Sequence, residues 1–329
     1  MEGERRRVSV IVVTWNARDF LRACLRSLAA ETPALSLDVH VVDNASTDGT
    51  GRMVKDEFPD VRLTKNPGNQ GFARANNIAL RRVLEEGRSD YILLLNADVA
   101  VLDRAVERLV EYLDAHPGAG AAGPALVLPG GKLQAGVGGF LPSALSGLAY
   151  FLFLARVFPG TSEPLFIDQA AVGRSGKPKR VEWLSGACLL VRRRTVERIG
   201  LLNEDFFFYL DDIDWGKRMG ERGIALHYIP WIRVLHDHGV TYRRVLKKFN
   251  TEWLDMLFEY VRGERGPGEA FLFRGFAVLG FLSRLLYYGV RSAARADAER
   301  RYKLAETAAF LRFSLGLGPR TDPWTGETL

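Results

Sequence analysis

Apolar residues recur along the first third of the chain at two alternating periods. Val8-Ser9-Val10-Ile11-Val12-Val13-Thr14 is rich in β-branched side chains, the composition of a buried strand. Behind it, Phe20, Leu21, Cys24, Leu25 and Leu28 fall at helical spacing within Asp19–Ala30. Val39 to Asp43 predicts the next strand, and Ser46-Thr47-Asp48 opens a second helix with Ser or Thr as its cap. Val61 to Thr64 is a third, short strand and Phe72 to Glu86 a third helix. Tyr91 to Leu95 is apolar without a break, as expected of a strand covered on both faces. Strands alternating with helices predict an α/β protein built on a parallel, doubly wound sheet.

Each of three strands ends in polar residues: Thr14 and Asn16, Asp43 and Asn44, Asn96 and Asp98. In such sheets ligands bind beyond the carboxyl ends of the strands, so three polar endings predict one polar crevice. A carboxylate there, Asp98, can hold a hard divalent cation, and the cation can neutralise a diphosphate. No Gly-x-Gly-x-x-Gly follows the first strand, which leaves a dinucleotide site unsupported.

Further along, Phe206 to Leu210 leads into Asp211-Asp212-Ile213-Asp214-Trp215. Adjacent carboxylates raise one another's pKa, which suits a base working near neutrality. The same three acids also suit a helix amino terminus stabilised by its dipole. Val234-Leu235-His236-Asp237-His238-Gly239 supplies two of the five histidines. A neutral imidazole is a fair ligand for a manganese-like ion.

The length of 329 residues allows one large domain or a domain with a substantial extension. Cys24 and Cys188 are too few for a disulfide framework and are not spaced as a metal site, which fits a reducing compartment. Met1 to Arg7 is charged, and Val8 to Val13 is too short for a signal-peptide core. No run of about twenty uncharged apolar residues occurs, so no bilayer-spanning helix is expected. The net charge is +6, and from Thr241 onward 15 Lys+Arg face 10 Asp+Glu, a surplus of five. That surplus suits phosphate-rich partners or an anionic membrane, and an ordinary solvated surface would carry it too.

Val12-Val13-Thr14-Trp15-Asn16, Val41 to Gly49, and Asn69-Gln70-Gly71-Phe72-Ala73-Arg74-Ala75-Asn76-Asn77 resemble family 2 glycosyltransferases of the GT-A fold. The resemblance is greatest to their bacterial rhamnosyltransferase-like branch and runs from about Val8 to Gly239, with the motifs in the family's order. It implies a doubly wound mixed sheet and an enzyme that moves a sugar from a nucleotide diphospho-sugar. Thr14, Asn16 and Asp43 would then line the base and ribose pocket, with Asp43 accepting from a pyrimidine N3–H. Asn69, Gly71 and Arg74 would lie near the nucleotide and sugar, Gly71 for close backbone approach and Arg74 to offset phosphate charge. Arg74 also reads as an ordinary helix-surface cation.

Asn96-Ala97-Asp98 stands where the family has Asp-x-Asp, with Asn in the first position. The resemblance makes Asp98 the first ligand for Mn2+ or Mg2+, and lets Asn96 coordinate through oxygen or bind the donor. His236 matches the family's histidine near metal and diphosphate, with His238 the alternative. The Asp211-Asp212-Ile213-Asp214 segment matches the family's Glu-Asp-x-Asp, making Asp212 the catalytic base, Asp211 its support and Asp214 an organising group. Direct displacement would invert the anomeric carbon without a protein nucleophile.

Two segments fall outside these motifs. Phe140 to Phe158 is aromatic, and Gly173 to Arg180 is a basic loop; together they suit an acceptor lid or an insertion packed on the sheet. Gly263, Gly266, Pro267 and Gly268 predict a hinge. Beyond it an apolar stretch from Phe271 to Tyr288, punctuated by Arg274, Arg284, Arg291 and Arg295, resembles an interfacial helix with snorkelling cations; covering the catalytic domain or pairing with another subunit would also account for it. Arg291 to Arg312 predicts a second helix and Pro319 to Leu329 a tail.

The expectation is a catalytic domain over residues 1–240, with a nucleotide-sugar half at 8–130 and an acceptor half at 180–240, and a helical extension over 241–329. Its donor would be dTDP-rhamnose or a UDP-sugar, and its acceptor a glycan, lipid-linked at the inner face of the cell membrane. Such an enzyme would serve cell-wall or surface-polysaccharide assembly from the cytoplasm, with no nucleic-acid partner and with a homo-oligomer possible. A nucleotidyltransferase would want a Gly-rich phosphate loop, which is absent; a catalytically inactive, sugar-nucleotide-binding scaffold is the remaining alternative.

Overall fold

In the computed structural model, the alternating periods of the first third become β1 (Arg7–Thr14), α1 (Arg18–Ala30), β2 (Ser36–Asp43), α2 (Thr50–Glu57), β3 (Arg62–Lys65), α3 (Gly71–Glu86) and β4 (Tyr91–Leu95). The structure describes residues 5–158, 163–206, 209–237, 251–294 and 298–317. They form two compact units, Met1–Gly138 with Asp168–Val245, and Gly139–Ile167 with Leu246–Leu329.

In the first unit the chain continues through β5 (Val99–Val101), α4 (Ala105–Ala115) and β6 (Ala119–Val127), ending near a two-residue strand β7 (Gly138–Gly139). In the second unit it forms α5 (Ala144–Phe151) and α6 (Leu154–Val157). It then returns to the first as α7 (Gln169–Ser175), β8 (Lys179–Val181), β9 (Trp183–Leu184), β10 (Cys188–Arg192), α8 (Arg193–Ile199), α9 (Asp211–Glu221) and β11 (Ala225–His236). The second helix starts later than its Ser-Thr-Asp signal. Gly49 takes a left-handed φ of 86°, and Asp48 Oδ1 accepts from the Thr50 N–H at 3.0 Å.

The nine-stranded sheet runs β3-β2-β1-β4-β10-β6-β11-β5, with β8 added on β11. From β3 to β4 it is parallel, as the βα alternation predicts. Beyond β4 it is mixed, which corrects the all-parallel reading and agrees with the GT-A expectation. β10 pairs antiparallel with both β4 and β6, and β11 is parallel to β6 but antiparallel to β5 and β8. Cys188 faces Leu95 in register, so β10 begins where β4 ends. This reversal brings the Trp183–Ala187 segment to the same sheet edge as the carboxyl ends of β1, β2 and β4.

Gly173 to Arg180 is not a lid. It closes α7 and enters β8, which pairs with Leu226–Tyr228 of β11. At ~3.3 Å per residue that is roughly 26 Å up the strand from His236. The segment is an insertion packed on the sheet, on the end away from the polar crevice.

The second unit is held by aromatic packing. Ser143 caps α5, its side chain accepting from the Ser146 N–H at 3.1 Å. The Phe151 ring meets Phe273 and Phe281 edge-on at 5.7 and 5.5 Å, and Phe258 stacks on Phe313. A Cβ at Gly147 would lie 2.5 Å from the Phe273 ring, so glycine is what lets α5 approach the long helix Pro267–Ala294 this closely. The predicted hinge is a helix break: Gly266, φ 88°, ends Glu252–Arg265, and Pro267 opens the next helix. The second predicted helix runs Ala298–Ser314, and Pro319 to Leu329 lies outside the described residues.

Two expectations about the long helix change. Among the described residues one helix, Pro267–Arg291, is long and apolar enough to cross a membrane by length and composition. Arg274 and Arg284 had hidden it by interrupting every fully uncharged run. Nor do those arginines snorkel. Arg274 donates to the Ser314 carbonyl at 2.7 Å and Arg284 to the Phe151 carbonyl at 2.9 Å, both turned into the unit. The opposite face is left apolar and exposed: Phe271, Leu272, Leu279, Leu282, Leu286, Tyr287 and Val290.

Candidate active site

One end of the candidate site is built from the carboxyl ends of β1 and β2. Thr14 and Asp43 are direct partners in register, and both are buried. Asp43 Oδ1 accepts from the Ser46 N–H at 2.9 Å. The Thr14 Oγ1 is buried with no hydrogen-bond partner among the described residues. A buried hydroxyl of this kind costs free energy until a ligand satisfies it. Asn16, at φ 51°, donates its N–H to the Ser46 hydroxyl oxygen and accepts from the Thr47 N–H on its Oδ1, both at 2.8 Å. These bonds lock the loop after β1 to the loop after β2.

Asn44 does the same for the loop before α3. It donates to Asn69 Oδ1 at 3.2 Å and to the Gly71 carbonyl at 3.1 Å, and it accepts from Asn66 at 2.7 Å. Gly71 stands at φ 78° with its N–H on Asn69 Oδ1, a conformation that favours glycine. A further cation joins this end. A Cβ at Gly51 would lie 2.5 Å from Lys65 Nζ and 3.0 Å from Asp43 Oδ2, so the bare glycine makes room for the ammonium beside the carboxylate.

Asn96, Asp98 and His236 meet across β4, β5 and β11. His236 Nε2 is 3.1 Å from Asp98 Oδ1 and 3.4 Å from Asn96 Nδ2, and its Nδ1 is 2.7 Å from Gln134 Oε1. Among the described residues no three His, Cys, Asp or Glu side chains gather as a complete metal cage. The donor set nonetheless fits a cation shared with a ligand. A carboxylate oxygen and an imidazole nitrogen converge, with an amide beside them, and a diphosphate supplies the remaining oxygens such ions take.

The adjacent carboxylates Asp211 and Asp212 sit at the start of α9. Tyr209 and Leu210 enter it at φ 64° and 65°, two consecutive left-handed non-glycine residues. Strain of this kind collects at functional sites. Asp212 is half-buried, and its carboxylate accepts from the N–H groups of Ile213, at 2.9 Å, and Gly186. Burial nevertheless raises its pKa to about 6. Asp211 is buried more deeply, and burial together with the Asp212 and Asp214 charges pushes it well above the carboxylate range. Asp214 is tied to Arg218 at 2.8 Å, and Trp215 donates to the Gly200 carbonyl at 2.9 Å, fixing the helix.

One short loop joins the Asp212 carboxylate to the strand end bearing Asn96 and Asp98. Gly186 donates to Asp212, and the next residue, Ala187, accepts from the Asn96 N–H at 2.9 Å. Arg74 is the predicted residue least integrated with the others. It is exposed on the first turn of α3 and loosely paired with Glu204 at 3.9 Å, alongside Arg81. His238 lies outside the described residues. Asn44, Lys65, Gln134 and Gly186 were not assigned roles from sequence. Only Asn44, at a strand end beside Asp43, carried a signal.

Comparison with known proteins agrees with this geometry. The family model described as glycosyl transferase family 2 matches residues 9–137. The chain is 31% identical over 320 residues to an N-acetylglucosaminyl-diphospho-decaprenol L-rhamnosyltransferase of Mycobacterium tuberculosis, covering 90% of this chain and 97% of that one. It is 26% identical over 235 residues to the dTDP-rhamnosyl transferase RfbF of Shigella flexneri, 70% of this chain and 69% of the other. Among solved structures it resembles the mannosyltransferase PcManGT from Pyrobaculum calidifontis in complex with GDP-Man and Mn2+. That match has TM-score 0.59 at 20% identity and covers 96% and 87% of the two chains, a likeness that shows the GT-A fold.

Proposed function

The chain belongs to glycosyltransferase family 2, and we propose that it transfers rhamnose from dTDP-rhamnose, with inversion, to a lipid-linked glycan at the inner membrane surface. The carrying observation is the loop at Gly186–Ala187, which ties the Asp212 carboxylate to the strand end bearing Asn96 and Asp98. A base and a diphosphate site held by one short loop are what a single displacement needs.

Asp43, Thr14 and the Asn16–Thr47 turn would seat the nucleotide, the carboxylate taking the pyrimidine N3–H and the Thr14 hydroxyl gaining the partner it lacks. Asp98 and His236, with Asn96 beside them, would hold a divalent cation, which supplies charge neutralisation for the departing diphosphate. Asp212 takes the proton of the acceptor hydroxyl as that oxygen bonds the anomeric carbon and the carbon–phosphate-oxygen bond breaks. The nucleoside diphosphate leaves on the opposite face, so the configuration inverts. Asp211, whose burial favours its neutral form, would support Asp212 as the group that accepts the proton.

The donor follows that of the Shigella relative, a dTDP-rhamnosyl transferase, and the acceptor that of the mycobacterial N-acetylglucosaminyl-diphospho-decaprenol L-rhamnosyltransferase. The exposed apolar face of the second unit supports the membrane location, since a patch of this kind is costly in water until covered. The test is transfer by the purified chain with Mn2+, from dTDP-rhamnose and separately from UDP-hexoses, onto an N-acetylglucosaminyl-diphospho-polyprenol. The expected product gains one rhamnose, and NMR of the new linkage shows it inverted relative to the donor. Donor binding without transfer to any acceptor would return the chain to the inactive-scaffold reading.

A further inference from the structure

We propose that Gln134 is a positioning residue that holds His236 in its Nδ1–H form, so that Nε2 faces Asp98 as a ready-made cation ligand. The proposal rests on the transferase reading for its purpose but not for its geometry. His236 is 4% exposed and Gln134 7%, so neither ring nitrogen can exchange its protein partner freely for water. Gln134 Oε1 lies 2.7 Å from His236 Nδ1. An amide oxygen only accepts, so a proton belongs on Nδ1, and the Asn96 Nδ2 donor 3.4 Å from Nε2 suits a lone pair there in the neutral ring.

Gln134 is itself fastened. Its N–H donates to the Leu126 carbonyl at 2.9 Å, and its carbonyl accepts from Gln169 Nε2. Gln169 Oε1 in turn takes the Tyr228 hydroxyl at 2.8 Å, and Tyr228 is fully buried in β11. A chain of buried hydrogen bonds therefore runs from the middle of β11, through two glutamines, back to the histidine at that strand's end. With the tautomer fixed, Nε2 at 3.1 Å from Asp98 Oδ1 sets two electron-pair donors face to face. A cation held by both atoms suits that pairing. Outer partners of metal-bound imidazoles act in this way, and losing one weakens metal affinity by about tenfold to a hundredfold.

The test uses the full chain with 15N-labelled histidine, free of metal and at a pH where the imidazoles are neutral, with His236 assigned through His236→Gln. Wild-type protein and Gln134→Glu should show a pyrrole-type Nδ1 and a pyridine-type Nε2; Gln134→Leu should lose that preference. Mn2+ alone is then titrated by EPR of the free ion. Gln134→Leu should bind at least about tenfold more weakly, and Gln134→Glu no more weakly than wild type. A wild-type His236 protonated on Nε2 overturns the proposal, and this arm and Gln134→Glu decide it even where the leucine variant does not fold. Folded Gln134→Leu with unchanged Mn2+ affinity, or a wild type that does not bind Mn2+, overturns it as well. Failure of the transferase reading looks different: the expected tautomer and Mn2+ affinity, with no sugar transferred.

Discussion

The two units of this chain place charge in opposite ways. In the first, Asp43, Asp211 and His236 are each at most 5% exposed, carried at strand ends and a helix start. In the second, the interior is aromatic, Arg274 and Arg284 turn inward onto backbone carbonyls, and the outward face is apolar, with Phe271 78% and Val290 72% exposed. Each arrangement is unfavourable in isolation. Buried polar groups cost free energy until a partner completes their bonding, and an exposed apolar face costs it until something covers it. The first unit is thus shaped for a polar ligand and the second for an apolar surface. An enzyme joining a water-soluble sugar nucleotide to a lipid-carried acceptor needs both.

The largest expected effect breaks the first half of the comparison. Asp212→Asn keeps the shape of the α9 entry but removes the proton acceptor. Transfer should fall by about 10²–10⁴-fold, the usual worth of a positioned base. Nucleotide-sugar binding, followed by thermal shift, should stay within a few-fold of wild type. Near-normal transfer by the folded variant would remove Asp212 from the mechanism.

Phe273→Ala tests the second interior. Phe273 is fully buried between Phe151 and Phe258, and truncating such a ring costs about 3–5 kcal/mol. Urea unfolding should show that loss in one transition while nucleotide-sugar binding persists in the range where the first unit remains folded. A smaller perturbation sharpens the outer face. Leu286→Asp with Val290→Asp places two carboxylates on exposed positions, so the melting temperature should hold. Sedimentation with anionic vesicles should weaken by at least about tenfold, because each lost apolar side chain is worth roughly 1.5–3 kcal/mol of burial. If a second copy of the chain covers this face instead, the wild type will ignore vesicles and the double variant will dissociate.

How much of this was legible in sequence depended on whether the signal was local. β4 is read correctly end to end because five consecutive apolar residues need no tertiary information. Thr14, Asp43, Asn96 and Asp98 could be placed on one sheet edge from sequence because strand ends are where such sheets bind ligands. The direction of β10 was not legible, since an apolar run has the same pattern read either way. Gln134 and Gln169 are ordinary residues in weakly patterned stretches, and they matter only because the fold stacks them behind His236. Arg274 and Arg284 were misread for a related reason. Sequence shows a cation beside apolar residues, but not whether its guanidinium turns toward solvent or toward a carbonyl at a neighbouring helix end.

The smallest effect separates the two carboxylates at the base end. Asp212 has its pKa raised to about 6 by burial, so its ionised, proton-accepting form declines as pH falls through that value. The rate of transfer should therefore show an acid limb near pH 6, falling toward lower pH, where an unperturbed aspartate would place it about two units lower. Burial, then the Asp212 charge, pushes Asp211 well above the carboxylate range, and the proposed mechanism gives it the neutral role beside Asp212. Replacing it by an isosteric neutral amide then removes no charge. Asp211→Asn should leave the limb where it is, whatever the variant does to the maximal rate. A limb displaced downward by a unit or more would mean that Asp211 carries charge beside Asp212, and that the two share one proton instead of dividing the roles of neutral support and base.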